Sequence, residues 1–425
     1  MAGILHVVGA GLSGLSAAVE LAESGRRIVV HEAAKFAGGR CRSYHDAALD
    51  LTIDNGNHLL LSGNWAAFAY LRRVGGMGAV TVAQQAEFPF ADLATGERWT
   101  LRPNPGRLPW WILDARRRVP GTRAPDYLAP IGVLRAKGSA TVGEVMPCRG
   151  PLYERLWRPV LLAALNTEPS AADARLAARI LRETLGAGGQ ACRPVVATGG
   201  LSAAFIDPAL AFIRARGGDI RFSHALKDIR YSDGRAAGLE FAGESVALAE
   251  DDAVVLAVPP AVARTLVPGL VVPDRFHAIV NAHFRVAPPA GQPLILGIVN
   301  ATTEWLFAYP DRLSVTVSCA DRLLEEPRER LAETIWREVA ALTGLAPDLP
   351  RWQIVRERRA TFSATPQEAG KRPEAGTRHR NLVIAGDWTK TGLPATIEGS
   401  IRSGLSAAAL LKCEPGRQER SRRAA

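Results

Sequence analysis

Apolar residues run through Ile4-Leu5-His6-Val7-Val8 and then change their spacing, with Leu15, Ala18, Val19 and Ala22 recurring every three or four positions. The first pattern predicts a buried strand and the second a helix packed on it, with Gly9-Ala10-Gly11-Leu12-Ser13-Gly14 between them. Gly25 stops the helix, Arg27 to His31 predicts a second strand, and Glu32 closes a βαβ unit. A related pattern ends the chain: Asn381 to Ala385 is an apolar strand leading into Gly386-Asp387-Trp388, and Ile397, Ile401, Leu405 and Ala408 share one face of a helix. In the middle, Gly217 to Phe222 and Leu226-Lys227-Asp228-Ile229 alternate as strands do. Ala253 to Val258 reads as a buried strand stopped by Pro259-Pro260. All three are expected to join the first sheet, and no internal repeat is visible.

The glycine spacing carries a mechanism. Gly9 permits the tight turn, Gly11 lets backbone approach a pyrophosphate, and Gly14 lets the helix pack closely with its positive end facing the phosphates. Glu32 stands where an acid accepts hydrogen bonds from a ribose hydroxyl and disfavours a 2′-phosphate. This signature alone does not separate NAD from FAD. Gly38-Gly39-Arg40, Arg42 and Asp54-Asn55-Gly56-Asn57-His58 add a second patch that favours a flavin, with Arg40 and Arg42 neutralising a diphosphate. Taken alone, that patch reads better as an ordinary glycine turn with solvated arginines. At the far end, Asp387 suits a polyol and the start of the last helix suits a reduced, anionic flavin.

Gly9 to Glu32, Gly38-Gly39-Arg40, and Gly386-Asp387 with Glu398-Gly399 resemble the flavin amine oxidase and carotenoid desaturase superfamily. Asp54 to Leu61, Ala164-Leu165-Asn166-Thr167, Arg359 to Pro366 and Thr391 to Gly399 resemble, within it, the hydroxysqualene dehydroxylase family of squalene-associated FAD-dependent enzymes. The resemblance spans nearly the whole chain; Ser400 departs from it, where relatives often carry alanine. It implies an α/β fold, with a glutathione-reductase-type, Rossmann-like FAD domain and an interleaved α+β substrate domain. It implies FAD held by Gly9, Gly11, Gly14, Glu32, Gly38, Gly39, Arg40, Gly386, Asp387, Ile397 and Glu398. The backbone of Leu226 would contact adenine, although a plain core leucine reads equally well from sequence.

Length fits two domains, because 425 residues exceed one compact core and 47% hydrophobic residues suffice to fill two. The expected division is 1–65, 196–261 and 376–413 for the cofactor, and 66–195 and 262–375 for the substrate, with a disordered basic tail at 414–425. The five cysteines, Cys41, Cys148, Cys192, Cys319 and Cys413, lack paired or metal-ligand spacing, so neither a disulfide framework, a zinc site nor any other metal is expected. The compartment is expected to be cytoplasmic, since the first strand leaves no room for a leader and no apolar run approaches the roughly 18 residues of a spanning helix. Residues 98–137 hold nine Arg or Lys against two acids, a local +7 within the chain total of +10. With Trp99, Leu108, Trp110, Trp111, Ile112 and Leu113 interleaved, this stretch suits either a peripheral membrane contact on the inner face or a solvated basic face over core tryptophans. Nucleic acid is not the expected partner, because no nucleic-acid module accompanies the charge.

The substrate class follows from the same resemblance. Amine oxidases place an aromatic cage residue two positions before the helix-start glutamate, and here that position is Thr396. An apolar isoprenoid instead needs an oily tunnel, which Val160 to Leu165 would line unless it is simply a core helix. The resemblance implies reductive removal of the hydroxyl of hydroxysqualene to give squalene, in squalene and hopanoid biosynthesis, with hydride from reduced flavin. The donor that reduces the flavin has no signature in the chain. His58, Asp54 and Tyr44 are the candidate catalytic acids, His58 being also a structural histidine by its position. Asn166 and Thr167 either orient the hydroxyl or cap a helix. Two other readings remain open here: a desaturase or amine oxidase running the redox in the opposite sense, and a flavoprotein scaffold without catalysis.

Overall fold

The computed structural model describes residues 3–412; Cys413 and the basic tail lie outside the described residues. Five strands form one parallel sheet in the order Asp219–Arg221, Arg27–His31, Ile4–Val8, Ala253–Leu256 and Leu382–Ile384. A parallel sheet is covered on both faces, which explains why its strands read as near-continuous apolar runs. Leu5, Val7, Val30, Val255, Leu256 and Ile384 are fully buried. The first helix, Leu12–Leu21, and the last, Ile397–Lys412, pack on each other, so the two ends of the chain meet. A side chain at Gly404 would place its Cβ 2.4 Å from the Ser13 carbonyl oxygen, and Ser16 Oγ donates to the Ile401 carbonyl at 3.0 Å.

One strand expected in this sheet belongs elsewhere. Leu226–Ser232 pairs antiparallel with Arg235–Phe241, which pairs with Glu244–Ala247 in a separate three-stranded meander. The reason is local: Asp233 and Gly234 both have left-handed φ values, 49° and 72°, and a two-residue turn of that kind returns the chain beside itself. A parallel neighbour would need a crossover of a dozen residues or more.

The second large sheet has seven strands, in the order Trp352–Phe362, Phe276–Phe284, Arg312–Val317, Trp305–Tyr309, Ile295–Val299, Phe88–Asp92 and Arg98–Leu101. Its two-residue side-chain period separates two environments. Val280, Ala282, Phe284, Leu306, Val315 and Val317 pack with Leu331, Ile335, Trp336 and Val339 of the helix Arg328–Thr343. The alternate positions, among them Ile279, Asn281, Trp305, Phe307 and Thr316, face a cavity instead. A small sheet of Leu60–Leu61, Pro194–Val196 and Thr81–Val82 hydrogen-bonds across the seam between the two expected domains.

Candidate active site

A cavity of about 950 Å³ is lined by residues from both ends of the chain and from the seven-stranded sheet. At one end it is walled by Gly9, Gly11, Glu32, Gly38, Gly39 and Leu226. Gly9 has φ +103°, and a Cβ there would lie 2.3 Å from the Ala257 carbonyl oxygen. Gly14 sits behind this wall; its Cβ would lie 2.0 Å from the Gly9 carbonyl oxygen, so only glycine lets the helix start this close. A Cβ on Gly11 would meet nothing within 4 Å, leaving its backbone open to the void. The helix beginning at Leu12 has no side-chain cap, so its first N–H groups remain available to an anion. Glu32 is held in place by two main-chain donors, Ala10 N–H at 2.7 Å and Ala34 N–H at 2.8 Å. A carboxylate has about four acceptor sites, which leaves two for ribose hydroxyls. This arrangement fits a flavin dinucleotide.

His31 and His224 also line this end, in a stack with His6 and Phe241. His6 Nδ1 lies 3.1 Å from His31 Nε2, and His31 Nδ1 lies 2.9 Å from His224 Nδ1. Burial, reinforced by the two neighbouring imidazoles, pulls the pKa of His31 down to about 3. Burial brings His6 to about 4.

Further along the cavity, Arg40 Nη2 donates to both oxygens of Asp387, at 2.8 and 2.7 Å, and Nη1 donates to the Ala360 carbonyl. The two residues expected to act separately, one on a diphosphate and one on a polyol, are therefore paired, and Asp387 raises the pKa of the guanidinium. Gly386 is required by its neighbour: a Cβ there would lie 2.2 Å from Trp388 Nε1, which donates to the Val258 carbonyl at 3.1 Å. Ile397 and Glu398 reach the cavity wall, but the Glu398 carboxylate is committed to structure. It accepts from the N–H groups of Ala66 and Ala67, at 3.1 and 2.8 Å, at the start of the helix Trp65–Val74, and from Arg402 Nε at 2.8 Å. Thr396 Oγ1 accepts from Gly399 N–H at 3.0 Å, which caps the last helix while the residue lines the cavity.

The remaining wall is hydrocarbon. Phe88, Phe90, Leu101, Leu156, Trp305 and Phe307 contribute to it. Val160, Ala163 and Ala164 face it from the helix Arg158–Leu165, whose Leu161, Leu162 and Leu165 are buried, so that run is core and cavity wall at once. A polar knot interrupts the oil, in a wall that also carries Asn166, Glu183, Thr184, Glu357, Arg359 and Thr361. Asn281 Oδ1 accepts from Asn57 N–H at 3.3 Å and Thr316 Oγ1 at 2.8 Å, and Tyr309 OH donates to Asn57 Oδ1 at 3.1 Å. The Asn57 main-chain N–H can only donate, which fixes the carboxamide orientation. Asn281 Nδ2 is thereby left without a partner among the described residues, on a residue that lines the cavity. Sequence reasoning missed Asn281; the available signal was a poor strand former in an apolar strand.

The expected catalytic and substrate residues divide. His58 lines the cavity with no hydrogen-bond partner among the described residues, and burial followed by the Arg40 charge lowers its pKa to about 4. Asp54 does not line the cavity: its Oδ1 accepts from Ser43 Oγ at 2.6 Å and Leu201 N–H at 2.9 Å, and burial raises its pKa. Tyr44, on the strand Ser43–Asp46, is also absent from the wall. Asn166 lines the cavity and ends the helix Arg158–Leu165 with left-handed φ of 47°, a C-cap rather than an N-cap. Thr167 lies behind it, where its hydroxyl accepts from Ala364 N–H at 2.8 Å.

The basic aromatic segment splits its tryptophan pair. Trp111 is buried edge-on against Tyr127, whereas Trp110, Leu108 and Leu113 are 55%, 80% and 73% exposed. Arg117 stacks over the Trp110 ring at 4.9 Å. Gly189 N–H donates to the Asn104 carbonyl at 2.8 Å, which ties this loop to the chain just after the cavity residues Glu183, Thr184 and Leu185. Among the described residues no helix is long and apolar enough to cross a membrane.

A family profile for flavin containing amine oxidoreductases matches residues 12–412. A hydroxysqualene dehydroxylase from Rhodopseudomonas palustris is 53% identical over 97% of this chain and 99% of its own length. One from Sinorhizobium fredii is 52% identical over 96% and 98%. Cyclohexylamine oxidase from Brevibacterium oxydans superimposes with a TM-score of 0.70 at 16% identity, covering 97% of this chain and 99% of that one, a likeness of fold.

Proposed function

The chain belongs to the flavin-containing amine oxidoreductase family, in its hydroxysqualene dehydroxylase branch, and from that premise we propose how its cavity removes a hydroxyl from an isoprenoid. It is an FAD-dependent oxidoreductase whose substrate is hydroxysqualene and whose product is squalene. The single observation that carries the mechanism is that the glycine and Glu32 cradle and the hydrocarbon wall belong to one cavity.

Reduced FAD, when bound, supplies the hydride that replaces the hydroxyl. The balance is R–OH plus the hydride and the proton that fully reduced FAD would give up, yielding R–H, water and oxidised FAD. Gly9, Gly11 and the uncapped helix start would hold the dinucleotide phosphates, with Gly14 letting that helix begin close behind them, Glu32 would hold ribose, and Leu226 would pack against adenine. Gly38, Gly39, the Arg40–Asp387 pair, Gly386, Ile397 and Glu398 would wall the rest of the cofactor. The free Asn281 Nδ2 donates a hydrogen bond to the departing hydroxyl oxygen, while the aromatic wall excludes water from the allylic cation. Thr396 faces the substrate from the wall, whereas the Asn166 carboxamide is committed to the His277 carbonyl, Thr361 Oγ1 and the Cys319 N–H. His58 is a neutral imidazole at working pH and serves as a hydrogen-bond partner, not as the proton store. Asp54 and Tyr44 brace the fold outside the wall.

Mixing anaerobically reduced enzyme with hydroxysqualene tests this reading. Flavin reoxidation with squalene formed is the expected result; no reoxidation in the presence of detergent or vesicles overturns it. Asn281→Ala is expected to lose about 10²- to 10³-fold in kcat while retaining flavin, as removal of one such donor does elsewhere.

The exposed Leu108, Trp110 and Leu113 beside Arg116 and Arg117 favour a peripheral contact with an anionic bilayer, from which an apolar substrate is drawn. Co-sedimentation with anionic but not zwitterionic vesicles is the expected outcome.

A further inference from the structure

Behind the substrate wall, three side chains of different chemistry converge. His277 lies on the strand Phe276–Phe284, Cys319 follows the strand Arg312–Val317, and Asp321 lies in the short turn of helix Ala320–Leu323. His277 Nδ1 is 2.8 Å from Asp321 Oδ2 and 3.8 Å from Cys319 Sγ, and the sulfur is 4.0 Å from the same carboxylate oxygen. None of the three lines the cavity.

The arrangement differs from a nucleophile, base and orienting acid in series. That order needs the thiol and the acid on opposite nitrogens of the imidazole. Here both approach Nδ1, and the other nitrogen, Nε2, lies 3.1 Å from Ser363 Oγ. In this structure Nδ1–H donates to the Asp321 carboxylate, and a Ser363 hydroxyl accepting from Nε2–H fixes the ring, so an ion that displaces the Nδ1 proton meets a nitrogen already aimed at the sulfur and the carboxylate, the way outer hydrogen bonds orient histidine ligands in metal centres. A tetrahedral ion with bonds of about 2.0–2.3 Å to nitrogen, oxygen and sulfur has ligand–ligand edges of roughly 3.4–3.6 Å. The observed edges are 2.8, 3.8 and 4.0 Å, so an ion would push the Asp321 carboxylate off its direct hydrogen bond and draw the thiol in by a few tenths of an ångström; the ligand atoms all lie within 4.8 Å of one another. The backbone is prepared as well. Cys319 is held at a left-handed φ of 45°, with its N–H bonded to Asn166 Oδ1 at 2.6 Å and its carbonyl accepting from Arg322 Nη1 at 3.2 Å. A left-handed conformation, disfavoured for a cysteine, persists because its surroundings impose it, and it places the thiol 3.8 Å from His277 Nδ1.

We propose that His277, Cys319 and Asp321 form a binding site for a zinc ion, with water as the fourth ligand. A thiolate, an imidazole and a carboxylate together favour a borderline transition ion over magnesium or calcium, which take oxygen ligands. The thiolate and carboxylate balance the charge of a divalent ion in this half-buried place. The ion clamps the wall of the substrate chamber: Asn166, which holds the Cys319 N–H, also donates to Thr361 Oγ1 at 2.9 Å and to the His277 carbonyl at 3.2 Å. Both Asn166 and Thr361 line the cavity. This proposal departs from the expectation drawn from cysteine spacing, which did not weigh a histidine so far from the other two in the chain.

FAD-loaded enzyme, treated with chelator and dialysed, is titrated with zinc chloride. Binding is followed by calorimetry, by metal content after gel filtration and by thermal melting, none of which depends on turnover. About one zinc per chain is expected, with a zinc-dependent rise in melting temperature and protection of Cys319 from alkylation. Cys319→Gly, whose backbone suits the positive φ, and Asp321→Asn are expected to abolish all three effects while retaining flavin. Ser363→Ala is expected to weaken binding by about 10- to 100-fold. Wild-type enzyme without a saturable site, or the same zinc stoichiometry and affinity in Cys319→Gly and Asp321→Asn, overturns the assignment.

Discussion

The two ends of the cavity are built by different means. The nucleotide end is made of backbone: Gly9, Gly11 and Gly14, an uncapped helix start, and a Glu32 carboxylate fixed by main-chain N–H groups. The hydrocarbon end is made of side chains supplied by strands far apart in the chain, and Asn281 Nδ2 has no partner among the described residues because Asn57 and Thr316 occupy the other side of the same carboxamide. Backbone geometry tolerates almost no substitution, since the displaced atom is another piece of main chain. An apolar wall tolerates exchange at similar volume.

The sharpest test of that contrast pairs Gly14→Ala with Phe307→Leu. The first puts a Cβ 2.0 Å from the Gly9 carbonyl oxygen and is expected to cost more than about 4 kcal/mol and to abolish flavin retention after gel filtration. The second is expected to cost about 1–1.5 kcal/mol and to keep the flavin. Equal flavin retention in the two variants breaks the comparison.

Next in size is Glu398→Ala. It leaves Arg402 buried with half its partners and strips the start of the helix Trp65–Val74, so thermal melting should reveal a loss of about 3–5 kcal/mol. A loss below about 1 kcal/mol would mean that solvent substitutes for the carboxylate there.

The two ends also respond oppositely to pH. Glu304, whose carboxylate accepts from Ser318 N–H beside the chamber, is raised by burial from 4.5 to about 7. The folded protein holds that proton longer than the unfolded chain, so this group's contribution falls as pH rises from 4.5 to 7, by about 3 kcal/mol in all. Glu304→Gln should remove that slope from denaturant melts. His31 is shifted the other way, so the unfolded chain binds the proton first as pH drops below 6.5, and about 2 kcal/mol is lost by pH 5. His31→Gln should make that acid limb shallower by about this amount, with His6 and His58 still contributing to it, and leave the neutral limb intact.

The smallest effect on stability belongs to the surface loop. Trp110→Ser with Leu113→Ser should change folding by less than about 0.5 kcal/mol and yet release the protein from anionic vesicles, as read by co-sedimentation. Vesicle binding unchanged in that double variant removes the loop from the membrane contact.

Local spacing determined the glycine turn, the strand before it and the helix after it from sequence alone. Glycines at fixed intervals between a strand and a helix carry their reason with them, because a turn, a close approach and a helix contact each require the missing Cβ at that position. Gly38-Gly39, Gly386-Asp387 and the apolar face of the last helix were legible on the same grounds. Only the tertiary structure decided that Arg40 and Asp387 pair with each other, that Glu398 caps a helix more than three hundred residues away, and that Asp54 and Tyr44 fall outside the wall. It also decided that Trp110 faces outward while Trp111 faces in, and that His277 meets Cys319 and Asp321. The physical reason is common to all of these. A side chain's partner is fixed by strand order and by which face of the pleat it occupies, and neither quantity is written in the spacing of neighbours along the chain.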